Sequence, residues 1–227
     1  MIRNHEFHSH WWGAPVGVVD DLGFLALPAG ERERQLNAFA WVELRAPLHA
    51  ADPLALARAG FAQIDTQIPF KIRINRVTGG PSLDELTVER GPFTVDDAAP
   101  FGHERFRHLP GITDAKIAER FALWGAKLIA AAPEWCLRIT SGGATQGWFL
   151  SEMARDGLHL ELAMLHRGAT ISGAYLYRKS LLAYAALGAQ IGTARFSVEN
   201  TAVLNIYASM GAQFLAPAGI WLWTRRG

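Results

Sequence analysis

The feature that most restricts the fold lies in the C-terminal ninety or so residues, about two-fifths of the chain. Here short apolar runs and helical periodicities alternate in a fixed order. Residues 135–140 and 147–151 read as a hairpin joined through Ser141, Gly142 and Gly143. Residues 158–165 read as a third strand, with Leu158, Leu160, Leu162 and Met164 on one face. A loop of small residues, 166–173, follows. Then come a helix to about Leu187 with Gly188 placed for a left-handed cap, and a strand at 193–198. A helix capped by Asn200 and ended by Gly211 leads to closing strands within 214–224. Three antiparallel strands, then strand–loop–helix, strand–helix and strand, predict a mixed α/β protein. Its sheet is mostly antiparallel and flanked by helices, not doubly wound.

The N-terminal third has shorter elements. Strands are expected at 16–19 and 24–27, a charged helix at 31–38 and a strand at 39–44. Asp52 caps a helix with Pro53 in its first turn and Gly60 at its end. The strand at 67–74 contains Pro69, which implies a sheet edge or a bulge. Gly79, Gly80 and Pro81 mark a linker, so the chain divides into 1–82 and 83–227. Thr113 or Asp114 then caps a helix whose Ile117, Phe121, Trp124 and Leu128 recur at helical spacing, and Pro133 stops it. Residues 52–72 and 200–223 echo one another: polar cap, Ala/Leu-rich helix, glycine, strand.

Composition excludes several classes. With 22 Lys+Arg against 21 Asp+Glu the net charge is +1, too small for a protein that coats nucleic acid by neutralising phosphates. The single cysteine, Cys136, excludes an internal disulfide framework and reads as a buried strand residue. Residues 1–10 are polar, and the apolar run at 121–132 is short and carries Lys127, so no membrane span and a cytoplasmic location are expected. His5, His8 and His10 lack a carboxylate or thiol at metal-ligand spacing, and no metal is expected.

The loop Arg167, Gly168, Ala169, Thr170, Ile171, Ser172, Gly173 follows a strand and opens a helix. Unpaired N–H groups and the helix dipole make such a segment either an anion cradle or a tight turn of small residues. Asn200 and Tyr207 lie almost two turns apart on one helix face. Asn200 either caps or bonds a ligand amide, and Tyr207 either packs its ring or donates a proton to a leaving group.

Taken together, these segments resemble the acyl-CoA-dependent N-acyltransferases of the GNAT superfamily. The loop departs from that family's glycine pattern at Thr170 and Ser172. Phe7 to Gly13, His103 to Arg107 and Ile220 to Trp223 are further similar to the dTDP-fucosamine acetyltransferase type of sugar-nucleotide N-acyltransferase, which pairs a degenerate N-terminal half with a complete C-terminal one. The resemblance implies acetyl-CoA or another acyl-CoA as cosubstrate and a nucleotide-linked amino sugar as acceptor. It places the coenzyme between strands 158–165 and 193–198, with backbone groups of Met164 and Leu165 on pantetheine, the 166–173 loop on pyrophosphate and Asn200 nearby. Tyr207 is implied as the acid. Glu161 is either the base or a solvated strand residue, and deprotonation through water needs no side chain. On the acceptor side are Trp11, Trp12, His103, Glu104, Arg105 and Arg107. The arginines either grip a diphosphate or lie on the surface, and the tryptophans either stack on the ligand or close a core. A homodimer is left open.

Overall fold

The computed structural model describes residues 1–100 and 102–225. In chain order its elements are β1 (Ile2–Asn4), α1 (Glu6–Trp12), β2 (Val16–Val19), α2 (Ala29–Leu36), β3 (Trp41–Pro47), α3 (Pro53–Arg58) and β4 (Ala62–Arg73). They continue with β5 (Leu86–Glu89), α4 (Asp114–Ala131), β6 (Cys136–Ser141), β7 (Ala144–Ala154), β8 (Gly157–Leu165) and α5 (Gly173–Ala186). β9 (Ile191–Ser197), α6 (Thr201–Ser209), β10 (Gln213–Phe214) and β11 (Ala218–Thr224) complete the chain. The strands form one sheet in the order β1-β2-β3-β11-β4-β9-β8-β7-β6-β5, and β10 pairs with β4. Only β2–β3 and β8–β9 are parallel pairs. The mixed, mostly antiparallel fold is as expected. No helix among the described residues is long and apolar enough to cross a membrane.

The internal echo becomes a strand exchange. The unit β3–α3–β4 and the unit β9–α6–β11 each send their last strand across the centre. There β4 and β11 pair with each other, β11 also pairs with β3, and β4 with β9. A cut at residue 82 therefore separates β11 from both of its neighbours.

Caps follow sequence chemistry. Asp52 accepts from the Leu54 and Ala55 N–H groups, Thr113 from Lys116 and Asn200 from Val203. Three expectations change. Residues 24–27 belong to a 3-10 turn, Leu22–Ala26, capped by Asp21. The two tryptophans Trp11 and Trp12 end a helix, not a strand, and Gly13 closes it in the left-handed region. Pro69 lies in a central strand. Its ring faces the break between β11 and β10, where the Pro69 carbonyl still accepts from Leu215 N–H (2.8 Å), so no ladder bond to β9 is lost.

Alternation decides what each sheet face carries. In β3, Val42, Leu44 and Ala46 enter a core with Leu56 and Phe61, while Glu43 and Arg45 point to the other face. Across β4, β9 and β8 that second face carries Gln67, Lys71, Thr193, Arg195 and Glu161. Helices α5 and α6 pack on the first face over Phe70, Phe149 and Leu160. Helix α4 covers the second face only beyond β8. The centre of the sheet thus has an uncovered polar side.

Candidate active site

Strands β8 and β9 pair only at Leu158↔Gly192 and His159↔Thr193 and then part. The gap between them is a slot of about 180 Å³, bordered by Ala163, Phe196, Asn200, Val203, Tyr177 and Tyr207. A bulge sits at the mouth. Opposite β7 the register runs Leu162↔Leu150 and then Leu160↔Ser151, leaving Glu161 without a partner. The bulge also overturns the single apolar face expected for β8. Leu158 and Leu160 join the cluster under α5, whereas Leu162 and Met164 join the one under α4. Periodicity cannot show such a phase change, because the residues on both sides are leucines.

Glu161 lies where the slot meets a larger cleft of about 880 Å³ over the polar sheet face. Burial raises its pKa, with the neighbouring His159 acting in the opposite sense. His159 bonds Asp156 (2.9 Å) and stands 3.9 Å from Glu161. Tyr207 is buried against Phe70 (4.1 Å between centroids) and edge-on to Tyr177 (5.3 Å). Burial holds its pKa well above the usual phenol value, so the hydroxyl stays protonated. One space is therefore bordered by a carboxylate poised to accept a proton and a phenol poised to give one. Asn200 caps α6 with its side-chain oxygen at 3.2 Å from Val203 N, and also borders the slot.

The loop after β8 is more committed than its composition implies. Arg167 N–H donates to the Asp97 carbonyl (2.7 Å), Ala169 N–H to His166, Gly168 N–H to the His166 ring and Thr170 N–H to the Gln146 side chain. The Arg167 guanidinium is held by the Ala98 carbonyl (3.0 Å). Among the described residues no acceptor engages the N–H groups of Ile171, Ser172, Gly173 or Ala174, and the Ser172 side chain makes no cap bond. The anion-seeking amides are thus the last ones of the loop and the first of α5.

Met164 and Leu165 are a correction. Met164 faces β7 opposite Trp148, and the Leu165 carbonyl accepts Ala99 N–H (2.8 Å). Residues 97–99 cover that end of the strand, which leaves Ala163 as the residue with a bare edge toward the slot. An extended amide-bearing arm fits along Ala163, with an anionic end at the 171–174 amides.

On the acceptor side the expected residues separate. Trp11 is fully buried and its indole N–H donates to the Lys116 carbonyl (2.7 Å). Trp12 packs edge-on against Trp41. Arg107 pairs with Asp114 on the surface, away from both cavities. These three are corrected to packing and surface roles, because the α1 segment is a core helix and not a strand end. His103, Glu104 and Arg105 do border the slot. Arg105 Nε donates to Glu43 (2.9 Å), and Arg120 meets Glu104 (3.4 Å).

Sequence reasoning missed Glu43, Arg45, Arg120, His159 and Arg195. A signal existed for Arg120, which lies on the apolar stripe of α4 three residues after Ile117. It is packed over Phe106 (4.7 Å) and Trp124 (5.1 Å), and burial lowers its pKa to about 10 against the opposing field of Glu104. His8 stacks on His5 (3.9 Å). Burial, then the nearby His5 and Arg120, drives its pKa far down, so the imidazole is neutral.

No protein-family model matches the sequence, and no curated protein matches it significantly. Solved structures do match the fold. A GCN5-related N-acetyltransferase from Sphaerobacter thermophilus superposes with a TM-score of 0.64 at 12% identity, covering 100% of this chain and 76% of that one. A tandem GNAT protein from the clavulanic acid biosynthesis pathway gives 0.57 at 14% identity, covering 93% and 76%. A GCN5-related N-acetyltransferase from Kribbella flavida gives 0.55 at 13%, covering 94% and 82%. The chain has the fold of the GCN5-related N-acetyltransferases over its whole length.

Proposed function

We propose that the protein is an acyl-CoA-dependent N-acyltransferase acting on a small amine. The observation that carries this reading is the parting of β8 and β9 beside Glu161 and Tyr207. The coenzyme supplies an acyl thioester. The chain's own residues provide the edge at Ala163 for its amides and the 171–174 N–H groups for its phosphates. Glu161 takes the proton from the acceptor's ammonium, directly or through water. Tyr207 gives a proton to the sulfur that departs. Holding both reactants in one cleft accounts for roughly 7–11 kcal/mol of the barrier.

A nucleotide-linked amino sugar is the finer proposal. It rests on His103, Glu104 and Arg105, since Trp11, Trp12 and Arg107 have other roles. The division at residue 82 is likewise proposed as an evolutionary unit, with β4 and β11 exchanged across it.

Thiol release from acetyl-CoA in the presence of an amine panel tests the activity. Release that requires both acetyl-CoA and an amine is expected, and Tyr207→Phe should lower turnover about 100-fold or more while leaving acetyl-CoA binding nearly unchanged. A wild-type protein that does not bind acetyl-CoA sinks the reading.

A further inference from the structure

The large cleft contains more hydrogen-bond donors than its carboxylates engage. Glu43 is divided between Arg105 (2.9 Å) and Arg45 (3.7 Å). Glu104 offers Arg120 one long contact and gives its other oxygen to the Phe106 N–H (3.1 Å). Among the described residues the Nε atoms of Arg45 and Arg120 are buried without an acceptor, and Arg120 is only 5% exposed. A buried guanidinium with an idle N–H is costly, and its planar fork matches a carboxylate or phosphate. Aromatic rings hold Arg120 in place on one side of the cleft, and β3 holds Arg45 on the other. Glu161, His159 and Asp156 border the same space and form its opposite pole.

We infer that the acceptor is an amine that also carries an anionic group, a carboxylate or a phosphate, seated on Arg45 and Arg120 with its amine toward Glu161. The fate of the amine rests on the acyltransferase reading, whereas the anion seat rests on the arginine geometry alone. The two arginines come from different halves of the chain, which gives the N-terminal half a part in choosing the substrate.

The test is calorimetry on the full chain saturated with CoA, so that the phosphate-binding end of the slot is filled, titrated with inorganic phosphate and separately with acetate. Saturable binding of at least one anion is expected, weakened about tenfold or more in Arg120→Lys, which keeps the charge and removes the fork. Arg45→Gln, at a more exposed position, should weaken it similarly and serves if Arg120→Lys does not fold. Steady-state assays then compare phosphoethanolamine with ethanolamine, and β-alanine with its amide. The charged member of one pair should have the higher kcat/KM by about tenfold, and which pair does so separates phosphate from carboxylate. Anion binding that is absent, or unchanged by both substitutions, overturns the inference and leaves acyl transfer standing. Failure to bind CoA overturns acyl transfer, while the same titrations without CoA still judge the arginine seat.

Discussion

The two parallel strand pairs of the sheet occupy equivalent places in its two halves and differ in one respect. β2 is four residues long, and every one of them pairs with β3. β8 is nine residues long and pairs with β9 at two. After β2 come Asp20, bonded to Arg3 (2.6 Å), and Asp21, which caps the next turn. After β8 come small residues and a helix start with idle amides. The N-terminal pair is therefore zipped shut and followed by carboxylates that repel phosphate. The C-terminal pair is open and followed by donors. A shared strand order does not give both halves a slot; the length of strand left unpaired does.

The comparison implies one acetyl-CoA per chain by calorimetry. Two equivalents would break it. The largest effect should come from filling the open pair: Ala163→Trp should weaken acetyl-CoA binding about a thousandfold with the circular dichroism spectrum retained. Next is Glu43→Gln in the N-terminal half. It leaves Arg105 and Arg45 without their shared carboxylate and should cost about 3 kcal/mol in urea unfolding. A loss near zero would show that the closed half does not depend on its buried charges.

Glu161→Gln should lower kcat/KM about 100-fold. A general base works deprotonated, and burial raises the Glu161 pKa. Wild-type activity should thus be full above that raised value and fall as pH drops through it, above the ordinary carboxylate range. If the glutamine variant keeps the same acid limb, another group is the base. The smallest effect is Asn200→Ala, which removes the α6 cap and should destabilise by about 1 kcal/mol.

Much of the C-terminal half was legible because its signals are local. Thr113, Asn200 and Gly188 mark helix ends by their own chemistry, and the order of strands and helices follows from periodicity. The acceptor side was not legible. Trp11 and Trp12 carry the same apolar signal whether they cap a ligand or a core. Arg107 and Arg105 are two residues apart, yet the 3-10 turn at Arg105–His108 sends one to solvent and the other to Glu43.

The sequence by itself determined the class of fold, the positions of its caps and the polar–apolar alternation that leaves Glu43, Arg45 and Arg195 opposite the core, since each depends on residues close in the chain. Only the tertiary structure decided that β4 and β11 cross between the halves, that a bulge turns Glu161 into the cleft and that residues 97–99 take the edge at Leu165. Those outcomes depend on register between distant strands, where a one-residue shift reverses which side chains face which side.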